Sequence, residues 1–195
     1  MINKKRKVNR QELRYLVEKS LVRDEEKRRL FWSATTSVKE VLTVLDSSMD
    51  GLDAVQVRKN RTMYGKNERT DNKKKNVIQL ILDSLDKPTC YVVRKNENLI
   101  NIPSSDLVVG DIVHLSEGDV VPADLRVIES NGLTVNQKAV SDDKIVKKNA
   151  GICLGELEKV TDYFNIVLMG TNIIAGSGEG VVVSVGNNTI LGTMP

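Results

Sequence analysis

The sequence predicts an α+β protein, with helices from Gln11 to about Leu85 and strands from about Tyr91 to Thr193. Three observations carry this. The first part has apolar residues at partial helical spacing together with helix caps. The second part has short Val/Ile/Leu runs broken by Gly/Asp turns. Composition fits one or two compact domains: 195 residues, 40% hydrophobic and 28% charged, with aromatics at only 4%, so the core must rely on Val, Ile and Leu.

Met1–Arg10 holds Lys4, Lys5, Arg6, Lys7 and Arg10 and no acidic residue. It reads either as a solvated tail or as a polybasic segment for anionic lipid head groups, where each charge adds about 1 kcal/mol near the surface. A net charge of +3 without an aromatic-basic face disfavours nucleic acid. Leu13, Leu16, Val17, Leu21, Leu30 and Phe31 suggest helix over Gln11–Thr36, with the charged run 23–29 as a solvent face and Trp32 as a packing anchor. Ser37 is placed to cap a helix Val38–Leu45, with Glu40 completing a capping box. A second helix is predicted from about Asp53 to Met63, stopped by Gly65 as a left-handed C-cap. Asn72–Lys75 is polar and basic, and Val77–Leu85 is amphipathic.

The centre of the chain is Leu107–Lys144. Strands are expected at Asp111–Leu115, Leu125–Glu129 and Leu133–Asn136, with tight turns at Gly110 and Gly118 and with Pro122 fixing φ before the next apolar run. Asp111, Asp119 and Asp124 are expected to hydrogen-bond turn backbone rather than to bind metal. His114, the single histidine, reads as a packed or surface residue. Cys90 and Cys153 have no metal or disulfide spacing and read as incidental thiols of a reducing compartment. No apolar run approaches the roughly 18 residues that cross a bilayer, and no signal peptide is visible, so the expectation is a cytoplasmic chain that does not span a membrane.

Word order adds more. LVVGDIVHLSEGDVVPADLRVI (107–128) resembles the actuator domain of P-type cation-transporting ATPases, whose phrase is roughly L-x-x-G-D-[IV]-V-x-L-x-x-G-D-x-[IV]-P-A-D. Met169–Asn172, Ala175-Gly176, Gly180–Val183 and Gly186–Gly192 are similar to that domain's ending. Gly51–Glu68 resembles the N-terminal phrase of the same family. The resemblance implies a distorted β jelly-roll for the actuator, and three regions: a basic tail and helix at 1–36, an N-terminal helical segment at 37–87 and the β domain at 88–195. In the family a hairpin crosses the membrane twice between the N-terminal phrase and the strands. Val77–Leu82 looks like its approach and Asp83–Arg94 like its exit, and the hairpin itself is missing. The run Leu133–Ala139 and the basic N-terminus look most like the magnesium-transporting branch, with calcium or sodium/potassium-like branches still open.

The resemblance also implies where chemistry would lie. The family moves a phosphoryl group from ATP to an aspartate in a DKTGT motif on another domain. That motif and any nucleotide-binding phrase are absent here, so no cofactor is expected on this chain; Mg2+ and ATP belong to the full-length family, whose phosphorylation and nucleotide-binding domains are the implied partners. The actuator contributes a TGE[SA] loop, whose glutamate activates the hydrolytic water. By register from Leu133 and Gln137 this loop falls on Ser141-Asp142-Asp143-Lys144. Ser141 keeps a hydroxyl, Asp142 puts bulk and negative charge in place of glycine, and Lys144 is new. Asp143 keeps a carboxylate one methylene shorter, and a misplacement of about 1 Å can cost a hundredfold in rate. The readings are a relaxed working loop with Asp143 as base, a degenerate loop that no longer hydrolyses phosphate, a divergent or altered loop with another role, and a plain solvated turn. As a whole, the chain reads as the actuator portion of, or a protein derived from, such a pump, or as a truncated, inactive binding protein.

Overall fold

A computed structural model describes residues 25–69, 88–95, 98–141, 145–154 and 159–194. The basic residues Lys4 to Arg10, the apolar positions Leu13 to Leu21 and the Val77–Leu85 segment lie outside these. Among the described residues three helices come first: α1 (Glu25–Thr35), α2 (Val38–Val44) and α3 (Ala54–Tyr64). Seven strands follow: β1 (Thr89–Arg94), β2 (Asn98–Pro103), β3 (Ile112–Ser116), β4 (Asp124–Asn136), β5 (Ile145–Lys147), β6 (Ile166–Val167) and β7 (Asn172–Ser184). A single turn, α4 (Ile190–Thr193), ends the described chain. The α+β expectation holds.

All the strands join one antiparallel sheet in the order β2-β1-β3-β7-β4-β5, with β6 also paired to β4. β4 and β7, 13 residues each, form its spine. The two strands expected at Leu125–Glu129 and Leu133–Asn136 are in fact one strand, β4, which takes up the intervening Asn131-Gly132 as a bulge instead of turning. Gly132 has φ +68°, and a Cβ on Gly176 of β7 would come within 2.4 Å of the Gly132 carbonyl. Glycine at 176 admits this close approach, and Gly132 supplies the positive φ of the bulge.

The core divides into two clusters. The larger lies between the sheet and α2 and includes Val41, Leu42, Val92, Leu107, Ile112, Leu125 and Val181, with Trp32, Val38 and Tyr64 against its edge. The smaller gathers Leu30 and Ala34 of α1 with Cys153, Tyr163, Ile166, Leu168, Val183 and Ile190. Each such aliphatic side chain contributes about 1.5–3 kcal/mol when fully buried. Trp32 is thus the packing anchor its sequence position suggested. The charged run before it is more than a solvent face, because Arg29 donates to the Val183 carbonyl (3.4 Å) and stacks over the Tyr64 ring. Both cysteines are buried and free.

The caps show how local signals were used. Ser37 accepts from the Glu40 amide (3.3 Å), but its hydroxyl turns to the Glu40 carboxylate (2.8 Å), so the reciprocal half of that box is replaced by a side-chain pair. The complete capping box is at α3, where Asp53 accepts from the Val55 and Gln56 amides and Gln56 returns to the Asp53 amide. These amides hold the Asp53 carboxyl below its usual pKa. Gly65 closes α3 with φ +83°.

Candidate functional site: the β4–β5 hairpin and the frame that carries it

The frame is built from the aspartates of the central phrase. Asp111 is fully buried and accepts from the Val108 amide (3.0 Å) and from Arg94 at both Nε (3.0 Å) and Nη2 (2.8 Å). Asp119 accepts from the Ser116 amide (2.7 Å), closing the turn at Gly118. Asp124 accepts from the Met169 amide (2.8 Å) with one oxygen and the Ile190 amide (2.8 Å) with the other. One carboxylate therefore ties the start of β4 to the Met169-Gly170-Thr171 turn and to α4. Burial pushes the Asp124 carboxyl up to about 7, against the pull of its two amide donors. All three aspartates bond turn backbone as expected, and no metal-holding group of His, Cys, Asp and Glu occurs among the described residues. His114 is half-buried on β3, with Nδ1 4.0 Å from Glu179 of β7. Burial and the Glu129 charge raise the Glu179 carboxyl, opposed by His114.

The N-terminal phrase is clasped to this frame. Buried Asn60 donates to the Val109 carbonyl (2.8 Å), Arg61 reaches the Asp106 carbonyl (3.0 Å) and carboxylate (3.2 Å), and Ser47 donates to the Gly110 carbonyl (2.7 Å). Leu52 forms a parallel bridge with Arg94. Asn67, also buried, donates to the Ser104 (3.0 Å) and Pro122 (2.8 Å) carbonyls and accepts from the Gly186 amide (2.9 Å). A single amide side chain thus joins three segments distant in sequence.

The second cluster has its own polar centre, Arg126. This buried guanidinium donates to the carbonyls of Ser33 (2.8 Å), Gly151 (2.9 Å), Ala150 (3.2 Å), Thr36 (3.4 Å) and Val127. Burial lowers its pKa to about 10. Asn165 beside it donates to Ala34 (2.8 Å) and Gly151 (2.7 Å), so α1 and the segment before Cys153 are held to β4 by backbone carbonyls.

On this frame stands the β4–β5 hairpin, with Asn136 opposite Ile145 at its open end. Gln137 follows β4 and is wholly buried. Its carbonyl accepts from the Val140 and Ser141 amides (both 2.9 Å) and from the Ser141 hydroxyl (3.3 Å). The Ser141 hydroxyl thus bonds back to the residue that follows β4. Asp142, Asp143 and Lys144 lie outside the described residues, so only Ser141 of the expected loop is placed. Ala139 passes close to Gly170, which brings the hairpin root beside the 169–172 turn. Sequence reasoning gave no role to Asn60, Arg126 and Lys148, and met Asn67 only as a letter of the N-terminal phrase; their bonds depend on the fold, and no spacing rule signals them.

Comparisons with known proteins agree with this assembly. A family model described as the P-type ATPase actuator domain matches residues 84–195, and one for the cation transporter/ATPase N-terminus matches residues 33–93. A probable cation-transporting ATPase F of Mycobacterium tuberculosis is 43% identical over 91 residues, covering 47% of this chain and 10% of that protein. A calcium-transporting ATPase of Bacillus subtilis is 37% identical over 112 residues, 57% of this chain and 12% of its own. A P-type magnesium-transporting ATPase of Escherichia coli is 33% identical over 102 residues, 51% and 11% respectively. The chain thus spans about a tenth of the length of the curated relatives it matches. No helix among the described residues is long and apolar enough to cross a membrane. With the actuator model matched over more than half of its residues and the N-terminal model clasped to the same sheet, the chain belongs to the P-type ATPase family.

Proposed function

We propose that this chain is the actuator region of, or a protein derived from, a P-type cation-transporting ATPase, and that its Ser141–Lys144 loop no longer hydrolyses the aspartyl phosphate. In an intact pump the region would turn as one body, coupling that hydrolysis to opening of the ion path. The observation that carries this reading is the clasp at Asn67, which makes the N-terminal segment and the sheet one mechanical piece. A lever needs that stiffness.

The loop reading rests on chemistry. Hydrolysis needs a base to take a proton from water as its oxygen attacks phosphorus and the aspartyl oxygen leaves. An aspartate at 143 reaches less far than glutamate, and the carboxylate of Asp142 repels the phosphoryl oxygens where glycine would admit them. ATP and Mg2+ would be held by the phosphorylation and nucleotide-binding domains, the partners of this region. The chain would have no enzyme activity alone and would act at the cytoplasmic face of the membrane, its basic N-terminus near anionic lipid. The Leu133–Ala139 run and that basic N-terminus favour the magnesium-transporting branch, and the sheet would be the distorted jelly-roll of the actuator. The regions 1–36, 37–87 and 88–195 would be its tail, helical segment and β domain.

The altered loop also favours a second reading, an inactive relative that docks on a pump as a binding protein. Titration calorimetry tests the common part. The chain is mixed with a phosphorylation-domain fragment of a calcium-transporting relative carrying a beryllium fluoride phosphate mimic. Binding is expected; none at high micromolar concentration would contradict both readings.

A further inference from the structure

The root of the hairpin holds a buried cation that no catalytic role uses. Lys148, the residue after β5, is 3% exposed. Its ammonium donates to Gln137 Oε1 (3.2 Å) and to the Tyr163 carbonyl (2.9 Å). Gln137 Nε2 in turn donates to the Thr161 carbonyl (2.9 Å), and the Lys148 amide donates to the Leu133 carbonyl (2.8 Å). Both legs of the hairpin are therefore fastened to the 160–163 turn by two interlocked side chains. Burying an ammonium is costly unless its donors are engaged, so this arrangement is stable only with the acceptors held in place.

We propose that Lys148 is a positioning residue, which acts through Gln137 to set the turn at Val140 and Ser141. The inference rests on the actuator reading and deepens it. The turn that leads into the altered letters is thus fastened to the 160–163 turn through the Gln137 side chain. The Gln137 carbonyl is the point of leverage, because it accepts the Val140 and Ser141 amides that open the turn. If Lys148 releases the Gln137 side chain, the backbone carbonyl that those two amides bond to is no longer held in position.

Amide hydrogen exchange on the whole chain tests this. Lys148→Met is expected to speed exchange at Val140 and Ser141 by about tenfold relative to the core amide of Val182, which donates to Asp111. Gln137→Met is expected to do the same, and the double variant no more than either alone, because both cut one chain of bonds. Using Val182 as the internal reference separates a loosened root from general instability. Should Lys148→Met fail to fold, Gln137→Met and Gln137→Glu carry the test. Glutamate keeps the ammonium's acceptor and should hold Val140 and Ser141 at least threefold better protected than methionine does. Unchanged ratios, additive effects, or equal exchange in the two Gln137 variants would overturn the proposal. No phosphate enters the experiment, so its failure is distinct from a failure of the loop-chemistry reading.

Discussion

Two corners of the sheet bury an acid and a base in different ways, and the contrast shows what the frame is for. At the first, Asp111 and Arg94 meet in a bidentate pair that also ties down the Val108 amide. At the second, Asp124 and Arg126 are two residues apart on one strand, yet each is bound only to backbone, the acid to two amides and the base to five carbonyls. That pair ties β1 only to the neighbouring Asp106 carbonyl and the Val108 turn among the bonds described. Two separate ions bound to backbone fix many segments, here the 169–171 turn, α4, α1 and the stretch before Cys153. The second corner is thus the assembling device, and it should be the more sensitive to change.

Arg126→Met should be the most damaging change, since it orphans several buried carbonyls at about 1–3 kcal/mol each. Equilibrium denaturation should show loss of most of the fold's stability; a cost below that of Arg94→Met would break the contrast. Asp124→Ala ranks next, at about 2–4 kcal/mol for two orphaned amides and a cavity. Asn67→Leu should cost about 2–3 kcal/mol, because it orphans two carbonyls and one amide in three segments.

A smaller effect comes from pH. The folded-state pKa of Asp124 is raised to about 7 from 3.8, so the native state binds the proton more tightly than the unfolded chain. Its contribution to stability is then full below about 4 and falls as pH rises towards and through 7. The raised Glu179 carboxyl acts in the same direction. Asp124→Asn should flatten the slope between those values while lowering stability overall, since its amide nitrogen cannot accept from a backbone N–H. Thermal denaturation from pH 4 to 8 reads both.

Much of this was legible in the sequence. Asp111 and Asp119 could be read as turn-bonding residues because the amides that donate to them lie three residues away, whereas the donors to Asp124 lie 45 and 66 residues away and only the phrase pointed to it. Gly65 stopped its helix as expected, at a positive φ of +83°, but with ψ −170° and so outside the left-handed helical conformation. The capping box went to Asp53–Gln56 because an Asp/Gln pair makes the same two bonds as Ser/Glu with a less distinctive spelling. β4 ran through Asn131-Gly132 because its long partner β7 supplies a second glycine opposite, a tertiary fact that outweighs the local turn signal. In the candidate site only Ser141 of the expected loop falls among the described residues, and the Gln137–Lys148 mount joins side chains by a fold-dependent contact that no local signal carries.

The smallest expected effect on stability separates frame from loop. Asp142→Gly with Asp143→Glu should leave the unfolding free energy within about 0.5 kcal/mol of the parent, as the sequence reading of this stretch as a solvated turn predicts. Their effect on chemistry should be large. The direct test replaces the actuator of the Bacillus subtilis calcium-transporting relative with this chain's matching residues, phosphorylates it from ATP and follows phosphoenzyme decay after a chase. Decay slowed by about 10²–10⁴-fold, and recovered by Asp142→Gly with Asp143→Glu, is the predicted result. Decay at the parent pump's rate with Ser141-Asp142-Asp143-Lys144 in place would contradict it.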